Sequence, residues 1–151
     1  MFNVVLVRPE IPPNTGNIGR LCLATRSTLH LVKPLGFSLN DRQLKRAGLD
    51  YWPYVDVHTY PNWRDFLSGR PPGRMLGFSA KATRSYTQIQ YRTDDLLIFG
   101  SETRGLPNEL LGANWPNCLK IPLLNPKVRS LNLATSVAMV LGEALRQTGL
   151  F

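Results

Sequence analysis

Cysteine is nearly missing from this chain: Cys22 and Cys118 are the only two, and neither has a second cysteine or a histidine at metal-ligand spacing. A disulfide framework and a structural zinc site are therefore not expected, nor is any other metal. Acidic residues are scarce as well, ten Asp and Glu against 18 Lys and Arg, which leaves a formal charge of +8 and a pI near 10.0. A chain so short of negative charge suits polyanionic partners such as nucleic acid. No apolar run reaches membrane-spanning length, and strand-like Phe2 to Val7 stands where a secretory leader would carry basic residues, so a cytoplasmic protein with no membrane partner is expected. Also missing are a Walker loop, a dinucleotide glycine fingerprint and a nucleophile elbow. His30 and His58, the only histidines, fall in probable strands and read as structural groups, and Trp52, Trp63 and Trp115 read as packing residues.

What is present organises around LLIFGSETRGLP, Leu96 to Pro107. Four apolar residues in a row suit a strand buried on both faces, the habit of a parallel sheet, and Gly100 ends it. Glu102, Thr103 and Arg104 then sit at a crevice outside the carboxyl end of the strand, with Gly100 and Gly105 allowing close backbone approach to a ligand. The bland alternative is a tight loop in which Glu102 pairs with Arg104.

Around this stretch, strands and helices alternate, which predicts an α/β fold with a largely parallel sheet, helices on both faces and one domain over residues 1–151. Strands are expected at Phe2 to Val7, Leu29 to Val32, Tyr54 to Thr59, Met75 to Ser79, Leu96 to Phe99 and Cys118 to Ile121. Pro9 to Gly16 reads as a rigid loop. A helix follows from about Asn17 to Ser27, capped by Asn14 or Thr15 and carrying Arg20 in its first turn. Asn40 or Asp41 can cap a basic helix through Arg42, Lys45 and Arg46, ended by Gly48. Pro61 to Leu67 reads as a short helix, and Asn108 to Leu111 as a helical turn. Lys81 to Arg92, with Arg84, Tyr86 and Tyr91, reads as a flexible surface loop suited to RNA. The last helix, from about Ser130 to Gln147, is apolar over roughly half its circumference, wider than one core contact needs.

Three stretches in order, PEIPPNTGNIGRL from Pro9 to Leu21, FGSETRGLP from Phe99 to Pro107, and IPLLNPKVRSLNLATSVAMVLGEALRQ from Ile121 to Gln147, resemble the three motifs of the SPOUT RNA methyltransferases. The length and the intervening PLGFSLNDRQLKRAGLDY resemble most closely the minimal subgroup that methylates the ribose 2′-oxygen of the tRNA wobble nucleotide, cytidine or uridine 34.

The resemblance implies a deep C-terminal trefoil knot and a homodimer acting on the tRNA anticodon loop. It implies S-adenosylmethionine as cofactor, held by Phe78, Ser79, Gly100, Glu102, Gly105, Ile121, Ser130, Leu131 and Asn132. Arg20 matches the family's catalytic arginine. Because arginine stays protonated, it is expected to clamp a phosphate and stabilise the developing alkoxide, and the residues do not name the group that takes the proton. Asn14, Asn17, Arg20, Arg42, Arg46 and Arg129 are the expected RNA contacts. Gly142 departs from the subgroup, which carries a tyrosine there. Two alternatives stand beside this reading: ribose methylation at another tRNA or ribosomal RNA site, and a non-catalytic RNA-binding module.

Overall fold

The computed structural model describes residues 1–111 and 116–151, so Trp115 lies outside the described residues. In chain order the elements are β1 (Asn3–Val7), α1 (Pro12–Ala24), β2 (Thr28–Val32), α2 (Arg42–Gly48), a 3₁₀ turn (Leu49–Tyr54), β3 (Val57–Tyr60), α3 (Trp63–Gly69), β4 (Met75–Phe78), β5 (Arg84–Ser85), a shorter 3₁₀ turn (Tyr86–Gln88), β6 (Leu96–Phe99), α4 (Asn108–Leu111), β7 (Cys118–Lys120) and α5 (Leu133–Gln147). Among the described residues the strands form one sheet in the order β3-β2-β1-β6-β4-β7-β5, and every pairing between these strands is parallel. No helix among the described residues is long and apolar enough to cross a membrane.

The near-continuous apolar strands are explained by burial on both sides. Side chains alternate across a strand, so Val4, Leu6, Leu97 and Phe99 pack on one face with Ile18 and Cys22 of α1 and with Val137, Val140, Leu141 and Ala144 of α5. Val5, Val7, Leu96 and Ile98 pack on the other with Phe66 of α3 and with Leu106 and Leu110. Burial pushes the Cys22 thiol up to about 12, so Cys22 is a small core residue rather than a nucleophile. His30 is buried between two partners, Tyr60 Oη and Asn3 Oδ1, each at 3.0 Å, which matches its structural reading. Trp52 and Trp63 are likewise half-buried against the two clusters.

Four expectations change. Helix α1 starts at Pro12, because Pro12 and Pro13 occupy its first two positions, where their fixed φ suits a helix and their missing N–H groups leave fewer donors to satisfy. The expected loop is therefore its first turn, Asn14 and Thr15 are internal rather than capping, and Arg20 sits in the second half of the helix. Residues 49–54 form the 3₁₀ turn, and β3 begins only at Val57. The stretch from Lys81 to Arg92 is not a free loop. Arg84 and Ser85 pair with β7, and Tyr91 is buried and donates its hydroxyl to Tyr86 O at 2.7 Å. Helix α5 starts at Leu133, with Asn132 as its N-cap accepting from Thr135 N at 3.2 Å. The basic helix α2 is as expected, with Asp41 Oδ1 accepting from Gln43 N at 2.7 Å.

Candidate active site

The segment after β6 folds back on itself through paired backbone bonds, Ser101 N to Gly105 O at 3.2 Å and Gly105 N to Ser101 O at 2.9 Å. Both glycines are required for different reasons. Gly105 has φ +65°, a conformation side chains disfavour, and a Cβ on Gly100 would lie 1.9 Å from Gly105 C.

Glu102 does not pair with Arg104. Its carboxylate accepts from Glu10 N at 2.7 Å, Ile11 N at 3.0 Å and Asn14 Nδ2 at 3.3 Å. It thus sits at the start of α1, whose N-cap, Ile11, has no side-chain acceptor of its own, and negative charge there is favoured by the helix dipole. Glu10 returns the link by accepting from Thr103 Oγ1 at 2.7 and 2.9 Å, and the hydroxyls of Thr103 and Ser101 hold its carboxyl below the usual range. Asn14 carries the chain onward: its Oδ1 accepts from Asn132 Nδ2 at 2.9 Å. Glu102, Asn14 and Asn132, one from each conspicuous motif, are therefore joined directly, and Asn132 passes the connection to the first turn of α5.

Beside this network a cleft of about 270 Å³ opens at the carboxyl ends of β4, β6 and β7. Phe78, Ser79, Gly100, Glu102, Gly105, Ile121, Ser130 and Leu131 all line it, as expected together from the sequence. Asn132 does not line it and instead caps α5. The rings of Phe78 and Phe99, both in its lining, stack with centroids 4.8 Å apart. Thr103 and Arg104 line it too, as the reading of this loop as a crevice expects, whereas Lys81, Leu123 and Ser136 were missed by sequence reasoning. Lys81 lies two residues beyond the expected Ser79 and was findable, whereas Ser136 enters only because the first turn of α5 borders the cleft.

The expected RNA residues are placed elsewhere. Asn14 is buried, with its amide committed to the network. Asn17, Arg42, Arg46 and Arg129 are exposed. Arg20 does not line the cleft of its own chain. Its guanidinium carbon lies 5.4 Å from the centroid of the Tyr51 ring, within cation–π range. The neighbouring Gly19 admits Trp52 so closely that a Cβ there would meet the ring at 2.5 Å, which fixes the 49–54 turn against α1.

A parallel sheet with an apolar, glycine-bounded cleft outside its strand ends defines the class: an α/β protein that binds a nucleotide-like small molecule at the sheet's carboxyl edge. Residues 1–142 match the model of the SpoU rRNA Methylase family, and the chain belongs to that family. It is 47% identical over 150 residues to the tRNA (cytidine(34)-2'-O)-methyltransferase of Saccharophagus degradans, covering 99% of this chain and 97% of that one. It is 44% identical over 150 residues to the protein of that name from Escherichia coli K12, covering 99% and 95%. Among solved structures, one concerned with 2-OH methylation of C/U34 on tRNA superposes with a TM-score of 0.94 at 45% identity, covering 100% of this chain and 98% of that chain. An AdoMet-bound rRNA methyltransferase from Sinorhizobium meliloti superposes at 0.85 with 26% identity, covering 96% of this chain and 56% of that chain.

Proposed function

We propose that this chain, acting as one domain over residues 1–151, transfers a methyl group from S-adenosylmethionine to the ribose 2′-oxygen of nucleotide 34 in cytoplasmic tRNAs carrying C or U there. The observation that carries the reading is the Glu102–Asn14–Asn132 network, which ties all three motifs to the rim of one cleft. The near full-length likeness to tRNA (cytidine(34)-2'-O)-methyltransferases supports the substrate.

The cleft fits the cofactor. Apolar Phe78, Ile121, Leu123 and Leu131 suit an aromatic ring system, while Ser79, Ser130, Ser136 and the backbone of residues 100–105 offer polar partners for a sugar and an amino-acid end. When bound, S-adenosylmethionine supplies an electrophilic methyl group on a sulfonium. The chain's own work is positioning. The 100–105 loop, held rigid by its own backbone pair and by Glu102, fixes one wall of the cleft. Arg20 acts as a clamp on the adjoining phosphate and as a stabiliser of negative charge developing on the 2′-oxygen. Asn17, Arg42, Arg46 and Arg129 present exposed groups to the rest of the anticodon loop.

The active form is a homodimer with the C-terminal knot of the family. Arg20 stands outside its own chain's cleft, which suits a site built across two chains. Helix α5 supports the dimer too: beyond its buried face it leaves Met139 38% exposed, and a Cβ on Gly142 would meet nothing within 4 Å. The test is to incubate the protein with unmethylated tRNA and S-adenosylmethionine, digest the RNA and map the methyl group by mass spectrometry. A methyl on the ribose of nucleotide 34 is expected, and a methyl at any other nucleotide overturns the assignment.

A further inference from the structure

A second cleft, of about 710 Å³, borders the same Ser101 to Leu106 loop but faces the ends of β1 and β2 rather than those of β4 and β7. It lies where β1 meets β6, and there the chain connections part: β1 leads to β2 on one side of the sheet, and β6 leads to β7 on the other. Such a switch point is where open parallel sheets form a ligand crevice.

The lining has a consistent chemistry. Arg8, Lys81 and Arg104 bring three cations, and the one lining carboxylate, Glu10, is occupied by Thr103. Pro34, Leu35 and Pro107 supply an apolar surface between them. Arg8 does meet Glu109 at 3.2 Å, but with side chains 44% and 64% exposed the pair is weak and easily exchanged for a phosphate. Cations over an apolar floor match a nucleotide, with its phosphate on the arginines and lysine and its base on the prolines and leucine. Lys81, Ser101, Thr103, Arg104, Gly105 and Leu106 line both clefts, so a strand with one ribose at the first is in reach of the second.

We propose that this second cleft is an RNA subsite that takes the nucleotide next to the methylated one, its phosphate held by Arg8 together with Lys81 and Arg104. The inference rests on the methyltransferase reading for its choice of RNA, and it can fail separately. Arg8 has φ +55°, and Asn tolerates that conformation, so Arg8→Asn removes the cation without disturbing the backbone. Filter binding of unfractionated tRNA is expected to show an affinity about fivefold weaker for R8N, with a salt slope shallower by about 0.7 for the lost phosphate contact. Calorimetry with S-adenosylmethionine is expected to be unchanged, since Arg8 does not line the first cleft. Wild-type affinity and slope in R8N overturn the subsite. A second arm uses an anticodon stem-loop with 4-thiouridine at nucleotide 33 or 35 and maps the photo-crosslink. Adducts on Pro34, Leu35 or Pro107 support the proposal, and adducts confined to residues 42–54 overturn it. A methyl mapped away from nucleotide 34 sinks the wobble assignment alone, because the R8N comparison does not depend on which nucleotide is modified.

Discussion

The loop that holds Glu102 and the outer face of α1 that holds Arg20 come from two equally conspicuous motifs, yet they end in opposite surroundings. Glu102 accepts three hydrogen bonds from within the chain and is built into the fold. Arg20 is exposed and touches the single ring of Tyr51. The first region is finished before any ligand arrives, and its job is to hold a shape. The second is a charged group displayed on a rigid helix, the arrangement expected of a residue that works on something brought to it.

The sharpest way to break that contrast is Arg20→Ala. Turnover is expected to fall by about two to three orders of magnitude, the cost of losing a charge-stabilising donor, while cofactor affinity and melting temperature stay at wild-type values. If calorimetry shows cofactor binding lost in this variant, the two regions are not separate.

Glu102→Ala should do the reverse and damage the fold and the cleft together. Removing the carboxylate leaves two backbone amides and Asn14 without their acceptor, for an expected loss of about 2–3 kcal/mol in urea unfolding, with weaker cofactor binding. A variant as stable as wild type would mean that water replaces the carboxylate at no cost, and the loop would then not depend on α1.

The body of the sheet offers a reference that belongs to neither region. Burial lowers the His30 pKa to about 4 from an ordinary value of 6.5, with His58 adding to the shift. The unfolded chain therefore takes up a proton at His30 before the folded one does. Stability from this group is fully present above pH 6.5, declines as the pH falls through the window from 6.5 to 4, and levels off below it. Glu143, held near 2 chiefly by its hydrogen bond from Arg146, and Glu10 lose their contributions as the pH falls from the ordinary carboxylate value of 4.5 toward their lowered folded values, mostly below the His30 window. Denaturation of His30→Gln against wild type at pH 7, 5.5 and 4.5 should show the slope in wild type alone. Equal slopes would assign it to other groups.

The smallest expected effect is that of Gly142→Tyr. With nothing within 4 Å of a Cβ there, stability should change by no more than about 0.5 kcal/mol. Sedimentation of the two proteins reads the rest: a change in self-association places Gly142 at the contact between copies, and identical profiles remove it from there.

The placement of these residues shows how far the amino acids could be read. Leu96 to Phe99, the Asp41 cap and the structural role of His30 were legible because each is a local signal: an apolar run, a side chain beside the amides it accepts from, a histidine among leucines. The start of α1 was misread for a related reason. Pro12 and Pro13 looked like a loop when counted as helix breakers, although in the first turn of a helix a missing N–H costs nothing. The stretch from Lys81 to Arg92 was misread because its two-residue strand and buried Tyr91 take their order from β7 and the core, not from its own polar composition.

The order of strands and helices other than β5, the two-sided burial of the sheet and the three motif stretches were thus determined by the sequence alone, since hydrophobic periodicity and turn chemistry act over a few residues. Tertiary structure alone decided that Glu102 would meet the amide of Glu10, 92 residues away, that Asn14 would bridge to Asn132, and that Arg20 would stand outside its own chain's cleft. A carboxylate satisfies any amide that comes within hydrogen-bonding distance, and which amide does so is set by how the packed sheet brings distant strand ends together.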